Sequence, residues 1–374
     1  MAGLYVHVPF CHSECTYCDF YRTSYRDDLA WRYLDALEVE LSSLPKDFSP
    51  STIFVGGGTP SALKVAQLSR LLSLLDRYSN ESSEYTFEVN PRSATDDKIR
   101  LLAEARVSRV SFGVQSFDDR ALTLLGRRHR QDDVARVFHV LREFVDEVSF
   151  DLIFGWPNEG VEEWHFDVQR AIELGPDHLS AYSLVYEEGT PLAAKVFRGE
   201  LSPVGEELER RMFLDARAML KDAGYEHYEV SNFARNGRYG QHNQGYWEQH
   251  DYFGVGPSAC STIGHRRMRN KADLDLYVRV VNETGVPPRE EETLSEADKL
   301  NELLMLRLRT SVGLCVAEFE TQAGEGLDKF SEGRVAELST HGLLHQEDGY
   351  LKLTLEGLCV ADSVIGSLFV SGTP

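Results

Sequence analysis

The sequence predicts an α/β protein in which a parallel sheet carries the functional residues, followed by a smaller unit of different architecture. Six apolar runs rich in β-branched residues recur along the first half of the chain, and segments with helical periodicity separate them. A strand, helix, strand order repeated in this way requires right-handed crossovers and a parallel sheet. Periodicity alone leaves a doubly wound sheet and a partial TIM-type barrel as alternatives. In both, functional residues are expected at the carboxyl ends of the strands.

The individual elements follow from local patterns. The predicted strands occupy residues 4–8, 52–55, 85–89, 109–114, 148–154 and 178–184. Apolar residues at three- and four-residue spacing predict helices at residues 30–44, 63–78, 96–105, 131–144 and 161–174. After about residue 200 the alternation stops. A long amphipathic helix is expected at residues 205–223, followed by an aromatic, polar segment at residues 225–252 and a Gly-Pro turn at residues 256–257.

The last part of the chain is predicted to form a winged-helix-like module. Helices are expected at residues 297–309, 333–340 and 355–368, with a hairpin turn at Asp348 and Gly349. Such modules often bind DNA, but residues 291–374 hold 15 acidic and 6 basic residues, which argues against phosphate contacts. We therefore divide the chain into a sheet domain at residues 1–200, a linking region at residues 201–290 and a C-terminal module at residues 291–374.

The composition is that of an ordinary globular protein with a strong negative charge. Of 374 residues, 60 are acidic and 39 basic, so the formal charge is −21, and 42% are hydrophobic. This acidity argues against a nucleic-acid partner, because such a protein needs a basic face. No apolar run approaches the length of about 18 residues expected of a membrane span. The first predicted strand begins at residue 4, which leaves no room for a signal peptide, so a cytoplasmic location is expected.

Three of the six cysteines lie together, immediately after the first predicted strand. Cys11, Cys15 and Cys18 form a C-x3-C-x2-C pattern, which in a reducing compartment indicates a metal site. A structural zinc site normally needs four ligands in two pairs, and no second pair is near. Three thiolates on one loop suit a 4Fe-4S cluster that leaves one iron open to another ligand. The alternative is three unrelated buried cysteines, which is how we interpret Cys260, Cys315 and Cys359.

The cysteine pattern, with Tyr17 before the third cysteine, resembles the radical S-adenosylmethionine (SAM) superfamily. The segment LYVHVPF at residues 4–10 narrows the resemblance to the branch that contains coproporphyrinogen dehydrogenases and heme chaperones. The resemblance covers nearly the whole chain. It implies a partial (β/α)6 TIM-type barrel with a C-terminal α+β extension. It also implies a 4Fe-4S cluster on the three cysteines, whose open iron chelates the methionyl amine and carboxylate of SAM.

The same resemblance assigns the SAM contacts. The Gly56-Gly57-Gly58-Thr59-Pro60 segment follows the second strand, where glycines allow the backbone to approach a ligand closely. Glu88 ends the third predicted strand, and Gln115 ends the fourth. Each feature also has a simpler interpretation: the glycines make a tight turn, and the polar residues are satisfied at strand ends.

Arg127 and Asp151 continue the resemblance to the SAM contacts. An aspartate in an otherwise apolar strand must be paired, and either Arg127 or a ribose hydroxyl would satisfy Asp151. The resemblance adds Tyr5 and Tyr17, as aromatic residues beside the cluster, to the cofactor-binding set. A strand aromatic such as Tyr5 is otherwise typical of the core.

Two departures separate the branches. In the dehydrogenases a fourth cysteine follows two residues after the third, whereas here that position is Phe20. The dehydrogenases also carry an N-terminal extension before the first strand, and this chain begins directly before that strand. Both features favour the chaperone branch.

A third feature lies in the linking region. The segment HNQGYW at residues 242–247 resembles the H-N-x-x-Y-W signature associated with heme binding in the chaperone branch. The His242 imidazole is a suitable iron ligand, and Tyr246 and Trp247 can stack on a flat macrocycle. The alternative is an aromatic packing motif with a satisfied histidine. Other candidate heme ligands, with less support, are His7, His12, His227, His265 and Cys260.

The resemblance implies a heme chaperone that carries a 4Fe-4S cluster and SAM, binds heme and delivers it to apo-hemoproteins. The expected recipients include membrane respiratory enzymes, reached by peripheral attachment during delivery. No catalytic residue is assigned, because dehydrogenase activity is not expected. One alternative is a radical SAM enzyme that oxidatively decarboxylates coproporphyrinogen III. Another is an acidic winged-helix interaction protein. The oligomeric state stays open, with a homodimer among the states that the resemblance allows.

Overall fold

The first half of the chain contains the predicted parallel strands. The computed structural model describes residues 2–80 and 83–369. Its first strands are β1 (Ala2–Val8), β2 (Phe10–Cys11), β3 (Thr23–Ser24), β4 (Thr52–Gly57), β5 (Glu84–Val89), β6 (Arg109–Gln115), β7 (Glu147–Phe154) and β8 (His178–Ser183). β1 and β4 to β8 are the six strands predicted from the sequence, while the short β2 and β3 were not predicted.

Helices occupy the intervals between the parallel strands. They are α1 (Asp27–Ser42), α2 (Val65–Leu75), α3 (Asp96–Glu104), α4 (Asp119–Leu124), α5 (Gln131–Phe144) and α6 (Val161–Leu174). The predicted helix at 63–78 is too long, because separate 3-10 turns at Pro60–Ala62 and Asp76–Tyr78 flank α2. α5 and α6 match their predicted bounds. In both, an acidic side chain closes the first turn: Asp133 accepts from the Arg130 N–H and Glu163 from the Gly160 N–H.

The order of the strands decides between the two predicted architectures. β1, β4, β5, β6, β7 and β8 lie side by side in chain order, and all of these neighbours are parallel. A doubly wound sheet would instead change direction at an internal strand. Sequential right-handed crossovers place the helices on one face, as in a TIM-type barrel. The predicted partial (β/α)6 barrel is therefore confirmed.

The linking region extends both sides of this sheet. Its strands are β9 (Glu226–Glu229), β10 (Asn232–Ala234), β11 (Asp251–Val255), β12 (Cys260–Ile263), β13 (Arg266–Asn270) and β14 (Arg289–Thr293). α7 (Pro191–Phe197) is the last helix of the sheet domain, and the helices of the linking region are α8 (Glu206–Asp222), α9 (Gln241–Trp247) and α10 (Leu274–Thr284). β11 pairs parallel with β1, and β10 pairs antiparallel with β8. In the described part of the chain the sheet therefore has twelve strands, with β14 and β9 at its edges.

The C-terminal residues form a compact unit around a second apolar core. The unit contains α11 (Glu296–Arg307), β15 (Leu314–Cys315), α12 (Val316–Ala323), α13 (Leu327–Phe330), α14 (Arg334–Thr340), β16 (Leu344–Glu347), β17 (Tyr350–Leu353), α15 (Leu355–Cys359) and α16 (Ala361–Ser367). Its core includes Leu304, Phe319 and Leu351. Asp348 and Gly349 both have positive φ angles in the β16–β17 turn, as the hairpin prediction requires. Residues 370–374, the end of the predicted module, lie outside the described residues.

The single helix predicted at residues 355–368 is wrong. The chain leaves the helical conformation at Val360, with φ −130° and ψ 32°, so that α15 and α16 are separate. Gly357 packs so closely on Leu343 that a Cβ would lie 2.0 Å from the Leu343 carbonyl oxygen. The turn then directs Val364 and Ile365 into the second core. Packing on both sides of the turn thus outweighs the continuous helical pattern.

The two sheet edges are protected differently. Every residue of β14 is exposed, and four of its five side chains are charged. At the other edge, the Val230 N–H donates to the Arg309 carbonyl, and the Ser311 N–H donates to the Tyr228 carbonyl. The C-terminal unit therefore covers the edge at β9 with its own backbone, whereas charge protects β14.

A buried carboxylate joins α1 to the linking region. Glu40 is 4% exposed and accepts hydrogen bonds from the Gly256 N–H at 2.7 Å, the Asn270 amide at 2.9 Å and the Tyr277 hydroxyl. Burial raises the pKa of Glu40, and the three donors oppose that shift. This network holds the linking region against α1 of the barrel. Among the described helices, none has the length and apolarity needed to cross a bilayer.

Candidate functional site

A cavity of about 470 Å³ opens where the parallel strands end. This is the edge at which functional side chains were expected. Its lining includes most of the predicted site residues: Cys11, Cys15, Tyr17, Cys18, Gly57, Gly58, Thr59, Glu88, Gln115, Arg127 and Asp151. Tyr5 and His242 are not part of this lining. The fold thus brings together residues that are up to 140 positions apart in the sequence.

The cysteine loop is held by the barrel at both its base and its tip. At the base, β2 pairs with β3, and the Tyr25 N–H donates to the Cys11 carbonyl at 2.9 Å. At the tip, the Thr16 hydroxyl donates to the Leu124 carbonyl at 2.7 Å, and the Leu192 N–H donates to the Thr16 carbonyl at 2.8 Å. These anchors place the loop over the cavity.

The three cysteines line the cavity, and two of their thiols have different polar neighbours. The Cys11 Sγ lies 3.4 Å from the Thr59 hydroxyl, and the Arg127 guanidinium donates to the Cys15 Sγ at 3.6 Å. None of the cysteines forms a disulfide. Burial raises the pKa of Cys11 to about 11 and also raises the pKa of Cys18. Metal binding at this loop must therefore displace protons.

The donor set fits a multi-iron cluster better than one metal ion. In residues 2–80 and 83–369, no group of three or more His, Cys, Asp or Glu side chains is arranged to hold a single ion. In a 4Fe-4S cluster each cysteine thiolate binds a different iron atom, so the ligands need not converge on one point. Three cysteines that line one cavity meet this requirement.

The glycine loop packs directly beneath the cysteine loop. Gly57 has φ +110°, and a Cβ there would lie 2.8 Å from the His7 ring. A Cβ at Gly58 would lie 2.9 Å from the backbone of Pro9. These glycines are therefore required first by close packing on the chain's own first strand and the residues after it. Their loop brings Thr59 against Cys11 as a result.

Two acidic side chains share the cavity. Burial, with a smaller contribution from the charge of Asp151, raises the pKa of Glu88 to about 8, against the opposing effect of the Gly57 N–H, which donates to Glu88 at 3.2 Å. Burial also raises the pKa of Asp151. The Ser111 hydroxyl donates to Asp151 at 2.6 Å, so a serine on the neighbouring strand satisfies this carboxylate. Arg127 is not a direct hydrogen-bond partner of Asp151.

Gln115 and Arg127 meet at the end of β6. Gln115 is buried, and its φ of 68° is unusual for a residue other than glycine. The pairing of β6 with β7 is irregular just before Gln115, which turns its side chain toward the cavity. Arg127 donates to the Gly113 carbonyl at 2.6 Å, and its buried Nε has no partner among the described residues. One donor of Arg127 therefore remains for a ligand.

Sequence reasoning missed a set of polar residues deeper in the barrel. They line the same cavity and are Thr86, Arg109, Ser111, Ser149, His178, Ser180, Tyr182 and Asn243. Several have partners within the protein: His178 bonds the Ser149 hydroxyl at 2.7 Å and the Tyr228 hydroxyl at 2.8 Å, while Arg109 pairs with Glu147 at 2.9 Å. The signal was present as polar residues at every second position of β6, β7 and β8, the inner face of the barrel.

Tyr5 lies on β1 outside the cavity lining. Its hydroxyl is 3.1 Å from His7 Nδ1, and its ring packs near Phe54 with centroids 6.1 Å apart. The second ring nitrogen of His7 bonds the Tyr21 carbonyl at 2.9 Å. Tyr5 thus connects to the cysteine loop through His7.

His242 lies on α9 at the opposite end of the barrel. It is 4% exposed, its Nδ1 is 2.8 Å from the Thr52 hydroxyl, and its Nε2 is 2.9 Å from the Tyr246 hydroxyl. Burial lowers the pKa of His242 to about 4, so the imidazole is neutral. The Glu84 carboxylate caps α9 by accepting from the N–H groups of Gln241 and His242. Both ring nitrogens therefore have partners.

The other histidines named as candidate heme ligands differ in accessibility. His7 and His227 are largely buried, with ring nitrogens bonded to the Tyr21 and Val230 carbonyls respectively. His12 and His265 are exposed, and Cys260 is half-buried on β12. None of these residues lines the main cavity.

Comparisons with known proteins identify the family. A model of the radical SAM superfamily matches residues 5–171, and a model of the HemN C-terminal domain matches residues 294–360. The heme chaperone HemW of Bacillus subtilis is 33% identical over 374 residues, which cover 98% of this chain and 99% of that protein. This chain belongs to the HemW family of radical SAM proteins.

Relatives of this HemW-family chain occur in other organisms. Radical S-adenosyl methionine domain-containing protein 1, mitochondrial, of Bos taurus is 36% identical, over 98% of this chain and 87% of that protein. The structure of coproporphyrinogen III oxidase (HemN) from Escherichia coli, a radical SAM enzyme, matches with a TM-score of 0.85 and 26% identity. That match covers 99% of this chain and 90% of the other. The resemblance inferred from the cysteine and glycine motifs is confirmed.

Proposed function

We propose that this HemW-family protein is a heme chaperone that takes up heme and delivers it to apo-hemoproteins. The observation that carries this assignment is the similarity to the heme chaperone HemW over nearly the whole of both chains. Phe20 supports it, because an exposed phenylalanine stands two residues after Cys18, where the dehydrogenase branch has a fourth cysteine. The acidic charge of the chain, −21, speaks against a nucleic-acid partner.

The cavity at the strand ends is the proposed site of the cluster and SAM. Cys11, Cys15 and Cys18 would hold a 4Fe-4S cluster, which when bound supplies an open iron for the amino-acid part of SAM. The remaining SAM contacts would come from Gly57, Gly58, Thr59, Glu88, Gln115, Arg127 and Asp151, with Tyr17 at the wall. Glu88 retains a proton near neutral pH, because its pKa is raised to about 8, chiefly by burial. It can therefore donate a hydrogen bond as well as accept one.

We propose α9 as the heme-binding segment, with His242 as the iron ligand. When Nδ1 carries the ring proton, it donates to Thr52, and Nε2 presents its lone pair to the Tyr246 hydroxyl. A histidine whose other nitrogen is held in this way is pre-oriented as a metal ligand. Coordination requires the Tyr246 hydroxyl to leave Nε2. The cavity that adjoins the ring has a volume of about 20 Å³, so α9 must also shift to admit heme.

The two proposed sites lie at opposite ends of the barrel. His242 contacts Thr52, at the start of β4, whereas the glycine loop that meets the cysteines forms the end of β4. Heme and the cluster are therefore expected to bind independently. Delivery to membrane respiratory enzymes, peripheral attachment there and a homodimer are further parts of the proposal.

The second candidate function is that of a radical SAM coproporphyrinogen III dehydrogenase, favoured by the match to HemN. One experiment separates the two. The protein is reconstituted anaerobically with iron and sulfide, then incubated with SAM and coproporphyrinogen III, with heme titration in parallel. We expect heme binding, transfer of that heme to an apo-hemoprotein and no protoporphyrinogen IX. Efficient formation of protoporphyrinogen IX would replace the chaperone assignment by the enzyme.

A further inference from the structure

The half-buried side chain of Arg22 contacts the backbone of the cysteine loop. One guanidinium nitrogen, Nη1, donates to the Cys18 carbonyl at 2.6 Å and to the Phe20 carbonyl at 3.2 Å. The other, Nη2, lies 3.5 Å from the Cys15 carbonyl. Arg22 also lines the cavity beside the thiols. A single side chain therefore ties together the backbone at two of the three cysteines.

These contacts complement the anchors of the loop. The pairing of β2 with β3 fixes the base of the loop, and Thr16 fixes its tip. Neither reaches the segment from Cys18 to Phe20, whose carbonyl groups are held by Arg22. Without the guanidinium these carbonyls would lose charge-assisted hydrogen bonds, and the turn that presents Cys18 would be free to open.

The guanidinium has a donor left over. Its Nε is buried and has no hydrogen-bond partner in residues 2–80 and 83–369. The guanidinium is also cationic, so this donor and a positive charge lie beside the cysteine loop. The charge around an iron–sulfur cluster and the hydrogen bonds to its sulfur atoms set its reduction potential. Reduction adds a negative charge, which a neighbouring cation stabilises.

We propose that Arg22 is a positioning residue for the cluster, which holds the cysteine loop in its ligating shape and raises the reduction potential of the bound cluster. The inference rests on the proposed cluster at Cys11, Cys15 and Cys18. Arg22 contacts the backbone that carries the cysteines, and we do not propose it as an iron ligand. A lysine keeps the charge but cannot span three carbonyls, whereas a glutamine loses the charge, so the two contributions are separable.

The test uses the full chain, reconstituted anaerobically, in four forms: wild type, Arg22→Gln, Arg22→Lys and Arg26→Gln. Arg26 is a matched control, because it lies four residues away but is exposed and paired with Asp28. Two quantities are measured on each: the midpoint potential, by redox titration monitored by electron paramagnetic resonance, and the rate of iron loss to a chelator. Circular dichroism checks the fold.

Arg22→Gln is expected to lower the ratio of reduced to oxidised cluster about tenfold at a given potential, which corresponds to about 59 mV for one electron. Arg22→Lys is expected to keep the wild-type potential but lose iron several-fold faster. Arg26→Gln should match the wild type in both.

A wild-type potential in Arg22→Gln would overturn the proposal. Should Arg22→Gln retain too little cluster for titration, a wild-type rate of iron loss in Arg22→Lys would overturn it instead. A wild-type chain that assembles no cluster would contradict the proposed function, which is a separate outcome.

Discussion

The Nε2 of His242 lies 2.9 Å from the hydroxyl oxygen of Tyr246, one helical turn along α9. The nitrogen proposed to bind heme iron is thus occupied by a neighbour in the same signature. We expect His242→Ala to weaken heme binding at least about tenfold. We expect Tyr246→Phe to strengthen it about fivefold, because the hydroxyl no longer competes for the lone pair. Heme titration followed through the Soret band measures both.

Melting of the same variants distinguishes a ligand from a packing histidine. If His242 only fills the barrel end, its removal costs about 1 to 3 kcal/mol of unfolding free energy and leaves the heme spectrum unchanged. That result, a destabilised His242→Ala protein with wild-type heme affinity, would remove His242 from the heme site. Cluster content should be the same in all three proteins, since the cysteine loop is at the other end of the barrel.

The cysteine loop makes a simple prediction about iron. Replacing Cys11, Cys15 and Cys18 together by alanine is expected to abolish iron binding and the visible charge-transfer absorbance after reconstitution, because these thiols are the proposed protein ligands. The matched control replaces Cys260, Cys315 and Cys359, which lie outside the cavity lining. The control should load iron like the wild type. Iron and sulfide assays on both proteins decide, and full loading of the first variant would contradict the cluster assignment.

The raised pKa of Glu88, about 8 against a usual 4.5, predicts a pH-dependent stability of the cluster-free protein. Between these values the folded state keeps a proton that the unfolded chain has released, so unfolding free energy falls as pH rises and levels off above about pH 8. Glu88→Gln cannot release this proton. The unfolding free energy of the variant minus that of the wild type should therefore increase by about 1 to 3 kcal/mol from pH 5 to pH 8.

Urea unfolding at several pH values measures this gain. Glu187→Gln is the matched control, since Glu187 lines the same cavity but is exposed at its mouth. Its stability relative to the wild type should change little across the range. A flat difference for Glu88→Gln as well would show that the folded state does not hold the proton.

Glu40 provides a prediction about the assembly of the fold. Replacing Glu40 by alanine leaves the Gly256 N–H and the Asn270 amide buried without an acceptor. We expect a loss of about 2 to 4 kcal/mol in unfolding free energy. Glu38→Ala on the same helix removes an exposed carboxylate paired with Arg70 and should cost less than about 1 kcal/mol. Equal losses in the two variants would contradict the role assigned to the buried network.

Much of the barrel could be predicted because its outward-facing residues are apolar and periodic. The helices at Gln131–Phe144 and Val161–Leu174 match their predicted bounds, since each carries an acidic capping residue that is visible in the sequence. The cysteine and glycine motifs indicated the cavity edge because both are local patterns. The two motifs lie close together because the strands that they follow are neighbours in the sheet, and that order is known only from the structure.

The residues that were not predicted have roles that depend on partners far away in the sequence. Glu40 is one acidic position on an amphipathic helix, and only the fold brings Asn270 and Tyr277 to it. Arg109 and His178 begin strands interpreted as uniformly buried, although every second residue there faces a polar lumen. α10, at Leu274–Thr284, was missed, even though Asp273 caps its first turn.

The arrangement of the sheet has a consequence for how the chain is made. β1 is synthesised before every other described strand but gains its second neighbour only when β11 has been synthesised, and β9 is covered only by residues 309–311. A nascent chain therefore carries open hydrogen-bonding edges for most of its synthesis. Products that stop before residue 309 keep one of these edges permanently, which makes truncated translation products prone to aggregate.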